Sequence, residues 1–256
     1  MSQLAVPQPQ RVGIIAAYRA LLRWNLGQVG AMLPLIVVVQ MLLAAGVVVG
    51  FGLLIPDIDT ETARFLSTGT PTILLMVLGL VIVSQGVAQA RTSGTFAYLR
   101  ALPVPRPLLL ASELTVWLIV AVPSVAAAVI VAMLRYDLSY SFDWPLLIGA
   151  SVLVTITAAA VGYALAVVLP PMLAQLVSQA LVFFVMLFSP ITFPASQLPA
   201  WFETLHDILP VRPAADLLRA GLASDVYTAS SQDLLVLAVW CVIGLTFSLR
   251  ALVRRA

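Results

Sequence analysis

The sequence predicts an all-α integral membrane protein with six transmembrane helices in a single domain over residues 1–256. Two observations carry that prediction. The chain is 62% hydrophobic and only 9% charged, with a mean hydropathy of +1.08, whereas an ordinary soluble domain is roughly 45–50% apolar and about 25% charged. The apolar residues also fall in runs of membrane-spanning length, since a bilayer core of about 30 Å needs about 20 helical residues.

The first residues, MSQLAVPQPQR, lack the early basic region, short apolar core and small-residue cleavage site of a secretory signal. From Val12 to Asn25 the pattern is amphipathic: Ile14, Ile15, Tyr18, Leu21 and Leu22 share one helical face, while Arg19 and Arg23 occupy another. Residues 12–25 are therefore predicted to form an interfacial elbow helix lying on the membrane. A basic lead-in to the first span is the plainer alternative.

Six apolar runs follow, at about 33–54, 72–90, 108–134, 145–169, 172–188 and 234–252. Pro123 predicts a kink or tilt in the third. The fifth is short, and Pro170, Pro171 and Pro190 mark its ends.

Six crossings place both termini on one side. There lie Arg11, Arg19, Arg23, Arg91, Arg100, Arg106, Arg250, Arg254 and Arg255, against the single acid Glu113. The other side holds Arg64, Arg135, Arg212 and Arg219 with the ten remaining acids. Basic residues near span ends favour the cytoplasm, so both termini are predicted to be cytoplasmic. Once the charges are sorted this way, the pI of 9.0 does not imply a nucleic-acid partner.

Chemistry is mostly excluded. Proton-coupled carriers place Asp, Glu or His within the bilayer as relays, and here only Glu113 comes close, near the cytoplasmic end of the third span. With no Lys anywhere, a phosphate-binding P-loop cannot form. One His and one Cys cannot assemble a zinc site of the usual ligands, and Cys241 has no partner for an intrachain disulfide. His206 reads as a solvated interfacial residue. No catalytic, cofactor or metal residue emerges, and the chain is not expected to be an enzyme.

Two polar segments interrupt the apolar pattern. The first, RTSGTFAYLRALPVPR from Arg91 to Arg106, permits about three helical turns over Thr92–Ala101 before Pro103, Pro105 and Pro107 stop them. Phe96, Tyr98, Leu99 and Leu102 are too apolar for a free loop, which predicts a short helix docked on a partner or on the membrane. The second runs from Ser189 to Arg219, SPITFPASQLPAWFETLHDILPVRPAADLLR. Ser196 is a candidate cap for a helix through Trp201 to Ile208. Pro213 is placed to open another through Ala220, with Gly221 as its stop.

Gly94-Thr95, Leu99 and Pro103-Val104-Pro105-Arg106, with Leu198-Pro199-x-Trp201, Leu209-Pro210 and Leu218-Arg219, resemble segments of an ABC-2 type transporter permease, the membrane half of an ATP-driven exporter. That resemblance implies a cytoplasmic coupling helix seated on a nucleotide-binding subunit, involving Gly94, Thr95, Phe96, Tyr98, Leu99, Arg100, Pro103 and Arg106. It also implies external re-entrant short helices between spans five and six, with Pro199, Trp201, Phe202 and Pro210 as an external gate. Family members often carry acidic residues before the Gly-Thr, where this chain has Arg91 and Ser93, and Ser189-Pro190 replaces a family Gly. ATP and Mg would be bound by the ATPase partner rather than by this chain. A second copy of the chain or a related permease would complete the complex, surrounded by membrane lipids in a prokaryotic plasma membrane.

The candidate translocation path is drawn from Gln40, Gln85, Gln89, Gln175, Gln179 and Phe183. The paired glutamines are spaced i, i+4 on the second and fifth spans, and such stripes avoid lipid. Interhelical hydrogen bonding explains them as well as substrate contact does. Gly46 with Gly50, and Ala158 with Gly162, have the spacing of close helix approach. The favoured function is an exporter permease for an amphipathic, drug-like or lipidic compound. The competing readings are a non-transporting membrane scaffold or assembly factor and an ATP-independent channel.

Overall fold

The computed structural model describes residues 13–55 and 58–253. Val12, expected as the start of the elbow helix, and Arg11, Asp57, Arg254 and Arg255, used in the charge sorting, lie outside the described residues.

Within these bounds all regular structure is helical. α1 (Ile14–Gly30) precedes α2 (Leu33–Leu54). α3 (Thr60–Met76), a π-helical segment (Val77–Val83) and α4 (Ser84–Thr92) then run on as one rod. The short α5 (Thr95–Ala101) is followed by α6 (Arg106–Tyr136), α7 (Trp144–Val168) and α8 (Pro171–Phe188). A 3-10 turn (Ala195–Gln197), α9 (Ala200–Ile208), α10 (Val211–Leu222) and α11 (Ser231–Val253) complete the described chain. Six elements are long and apolar enough to cross a membrane: α2, the rod, α6, α7, α8 and α11.

Helix starts follow local chemistry. α2, α6, α7 and α8 each carry Pro in their first turn, where a missing N–H costs nothing. Asp143 accepts from the Leu146 amide at 3.1 Å to cap α7, and Asp59 accepts from Thr62 at 3.4 Å to cap α3. α6 ends on Asp137, whose φ of 50° is left-handed.

Three expectations need correction, and one helix is longer than its apolar run. The helix that carries the second apolar run starts at Thr60, ahead of that run, because Ser67, Thr68 and Thr70 donate to carbonyls one turn back and are buried. A polar lead-in thus continues the helix within the protein, past Pro71. The helix predicted over Thr92–Ala101 is shorter, because Gly94 adopts φ 79° and breaks the chain direction. Pro199, not Ser196, stands at the cap of α9, since Ser196 lies in the preceding 3-10 turn. Gly221 does not stop α10; it lies inside the helix against the Leu147 backbone, where a side chain has no room. On α1, Ala17 and Leu21 face the body while Ile14 and Ile15 stay exposed.

The centre is the rod packed on α7. Gly79 lies against Ala158 and the Ala159 backbone, and Gly162 lies against the Gly79 carbonyl. Removing side chains at these positions lets two backbones touch, the physical use of small residues between membrane helices. The π-helical turns fall at this crossing, as local helix widening often does at special sites. Of the rod's most apolar window 67% is buried, against 17% for α2, so α2 stands at the periphery.

The two ends differ in charge. One end gathers α1, α5 and the last turn of α11: Leu21, Asn25, Phe96, Leu99, Arg100, Glu113 and Leu252 share a small crevice there. This is the Arg-rich end. At the other, Asp143 and Ser141 meet Gly221, Ser224 and Asp225. This is the acidic end. The two limits of the described chain thus approach from the same end, as an even number of crossings requires.

Candidate functional site

At the Arg-rich end, α5 is set by its flanks. Gly94 turns the chain, Ser93 Oγ lies 3.0 Å from Thr95 Oγ1, and the Arg106 guanidinium donates to the Arg100 carbonyl. No residue of α5 is fully buried. Phe96 and Leu99 nevertheless pack inward, into the crevice of about 30 Å³ that also contacts Glu113 and Tyr163. Arg100 lines the same crevice, its guanidinium 5.7 Å from the Phe96 ring. Tyr98 points outward, its ring 6.2 Å from Trp24 of α1. Pro103 is exposed beyond the helix end.

Arg91 donates to the Ala166 carbonyl and, at 2.6 Å, to the Leu169 carbonyl. It satisfies carbonyls left free by the end of α7, where a cation is favoured. Arg91 therefore ties the exit of the rod to the end of α7.

The path candidates divide. Gln40 is fully buried between helices of this chain, its amide 3.5 Å from the Leu74 carbonyl. Gln85, Gln89, Gln175, Gln179 and Phe183 all face outward. The seam between α4 and α8 is marked by a Ser178–Ser84 hydroxyl bond of 2.9 Å. Counting about 100° per residue from that contact, and with the helices antiparallel, the four outward glutamines fall on one side of the seam. That is a polar face on the outside of membrane-spanning helices. Phe183 continues that side of α8 toward the acidic end, whereas Phe184 and Phe188 are exposed on the other side of the seam by the same count.

At the acidic end, α9 and α10 form a cap. Pro199 and Pro210 stand immediately before the two helices. Trp201 is 72% exposed, and Phe202 is half-buried with its neighbours Trp201 at 5.1 Å and His206 at 4.5 Å. Trp240 of α11 donates to the Ile208 carbonyl at 2.7 Å, pinning the end of α9. Arg212 joins the two cap helices by reaching Glu203, Asp207 and Asp216.

His206 departs from its expected solvated position. It is fully buried, 2.9 Å from the Phe202 carbonyl and 3.3 Å from the Ser189 hydroxyl. Packing of α9 onto the turn after α8 buries the ring, and both nitrogens have protein partners.

The residue whose part in the fold sequence reasoning missed is Arg219, placed there among the charges of this end and in the Leu218-Arg219 motif. It is 2% exposed, donates to Asp216 at 2.8 Å and to the Pro190 and Ile191 carbonyls, and lies 3.8 Å over the Phe65 ring. Burial pulls its guanidinium below its ordinary value, and Asp216 opposes that shift. Gly69 makes room for the Ile191 carbonyl on the other side. Together Arg219, His206 and Gly69 clasp the turn Ser189–Ile191. The Asp216–Arg219 spacing inside an apolar stretch was the available signal.

Among the described residues no cluster of His, Cys, Asp or Glu has the makings of a metal site. What the arrangement offers instead is mechanical: an outward polar face on membrane helices, with a surface helix at one end and a clasped cap at the other. No curated protein matches the chain at a significant level. The family model described as ABC-2 type transporter matches residues 10–223, from the first helix through the cap. With six membrane-crossing helices and that match over most of its length, the chain belongs to the ABC-2 type transporter family and is a multi-pass membrane component of transport.

Proposed function

We propose that the chain is the permease subunit of an ATP-driven exporter, built from two permeases and two separate ATPase subunits that bind ATP and Mg. The observation that carries this reading is α5: a short helix at the Arg-rich end, none of it fully buried, with Tyr98 directed away from the body. A family member with no P-loop of its own needs such a surface for energy to enter. In this reading the Arg-rich end and both termini face the cytoplasm of a prokaryotic cell. α1 is the interfacial elbow, α5 the coupling helix, and α9 with α10 the external re-entrant cap.

The outward glutamines then acquire a role. Gln85 lies seven residues before the end of α4, and Gln179 eight after the start of α8, each roughly 10–12 Å from the Arg-rich end at 1.5 Å per residue. A second permease covering this seam would relieve polar groups of contact with lipid. It would also leave a polar vestibule in the cytoplasmic half that passes toward Phe183, on the same side of α8. A polar entrance leading to an aromatic side chain suits an amphipathic, drug-like or lipidic cargo.

The test is co-expression with a candidate ATPase subunit, followed by reconstitution in vesicles. ATP-dependent movement of amphipathic compounds, lost when the ATPase is omitted, is the expected result. Movement independent of ATP would replace this reading with a channel, and no movement and no ATPase association would replace it with a scaffold.

A further inference from the structure

We propose that Glu113 is the positioning residue for α5, holding it through Arg100 in one position and releasing it by turning to Trp117 in another. The inference rests on the reading of α5 as a docking surface, and it names the residue that passes the movement of that surface inward. Glu113 is the single acid of the Arg-rich end, seven residues into α6 and about 10 Å along it. Buried Leu109 precedes it and buried Trp117 follows it at i, i+4 spacing, so it stands on the inward stripe of the helix. An ionisable side chain on the inner face of a membrane helix marks a function and a specific partner. An apolar residue would fill the same place at lower cost.

On one side the partner is α5. Arg100 and Glu113 line the same crevice of about 30 Å³, together with Asn25 of α1 and Tyr163 of α7. Opposite charges across so small a space attract far more strongly than in bulk water. The crevice has room for roughly two waters, so α5 rests against the body without being wedged into it. On the other side the partner is Trp117. Its indole N–H lies next to Glu113, yet it is buried with no acceptor in hydrogen-bond geometry among the described residues. Buried donors are nearly always satisfied, and an exception calls for a reason. Turning the Glu113 carboxylate inward would satisfy this donor and take the charge away from Arg100. One acceptor thus faces two donors it cannot fully serve at once, and a displacement of α5 exchanges them. Tyr163 carries the change onward. It is buried in the crevice wall beside Gly162, which lies against the Gly79 carbonyl where the rod crosses α7.

The experiment measures hydrogen exchange of the α5 amides in the full chain in nanodiscs, with the amides of α9 and α10 as the control. Glu113→Gln keeps the shape but removes the charge, and should speed α5 exchange several-fold while the control stays put. Trp117→Phe keeps an aromatic ring but removes the alternative donor, and should leave α5 exchange at or below the wild-type rate. A merely structural role predicts the same sign for both. In vesicles with the ATPase, Glu113→Gln should raise the ATP consumed per cargo molecule several-fold, and Glu113→Asp, which keeps the charge, should recover part of that loss. Unchanged α5 exchange in Glu113→Gln would overturn the proposal. So would exchange that is equally faster in both variants. If wild type binds no ATPase, the export reading fails, and α5 exchange in the chain alone still decides on Glu113. Should Trp117→Phe fail to fold, Arg100→Gln replaces it and should match Glu113→Gln; a wild-type rate there would sink the pairing.

Discussion

The two polar ends of this molecule are built in opposite ways. At the acidic end, α10 buries nearly every residue, including the guanidinium of Arg219. At the Arg-rich end, α5 buries none completely. Both segments are short helices joining spans, and both resemble family motifs, yet one is anchored from inside and the other is displayed. A helix held by buried polar contacts moves with the body around it. A displayed helix with few buried contacts is free to become part of an interface. The comparison therefore assigns rigidity to the cap and availability to α5.

The strongest way to break the comparison is Arg219→Leu. It leaves the carbonyls of Pro190 and Ile191 and the carboxylate of Asp216 without their donor. Removing one member of a buried charged network costs about 3–5 kcal/mol. Labelling of Cys241, the single and buried thiol, by a thiol-reactive fluorophore during a thermal ramp reports the loss. A midpoint close to wild type would show that the cap is not held by this clasp. Arg219→Lys is expected to recover only part of the stability, because an ammonium cannot fork to several acceptors as a guanidinium does.

Next in size is the contrast between Tyr98 and Leu99. Tyr98→Asp should abolish co-purification with the ATPase while changing the stability read from Cys241 unfolding by less than about 0.5 kcal/mol, as for other exposed sites. Leu99→Asp puts a carboxylate into the chain's own crevice beside Glu113, so it should lower stability as well as association. If Tyr98→Asp leaves the complex intact, the displayed face of α5 is not the docking surface.

How far the sequence could show this follows from which residues carry each feature. The six spans were legible because their apolar runs are long and flanked by Pro and charge. The start of the helix carrying the second was not, since Arg64, Ser67 and Thr68 look like a loop until the α10 cap and the turn at Ile191 cover them. Hydroxyls that bond back to the same helix hide their polarity from any reading of hydropathy. The location of the two special segments was legible from their Pro and aromatic content. Their depth was not: Arg219 and His206 look like ordinary surface charge and polarity because their burial depends on contacts with the turn after α8, far away in sequence. Likewise the outward direction of Gln85 and Gln179 needed the Ser84–Ser178 seam.

A smaller effect is expected at Trp201, the exposed part of an otherwise anchored cap. Trp201→Ala removes a ring that is 72% exposed, so stability should change little. If α9 closes the outer end of the path, the complex should assemble and hydrolyse ATP normally while export falls several-fold in vesicles. Unchanged export would make Trp201 only an interfacial anchor. Loss of assembly would mean that the exposed and clasped parts of the cap are not separable.

The smallest effect tests how the cap's outer loop is joined to the start of α7. Asp225 accepts from the Ser141 hydroxyl, and Arg64 approaches it at 3.7 Å. The Ser141 hydrogen bond, helped by backbone amides and by Arg64, holds its carboxyl below the usual value of 3.8. A carboxylate held low in the folded state adds stability that is fully present above its ordinary value and is lost as pH falls through the lower, folded one. Wild type should therefore lose a small increment of stability below about pH 4, and Asp225→Asn should remove that part of the acid sensitivity while slightly lowering the midpoint at pH 7. Exposure and solvent screening keep both changes small. Cys241 unfolding midpoints for the two proteins, compared from pH 3 to pH 7, make the measurement. Parallel profiles would show that the Ser141–Asp225 contact does not hold the loop, leaving Arg219 and its neighbours to anchor the acidic end alone.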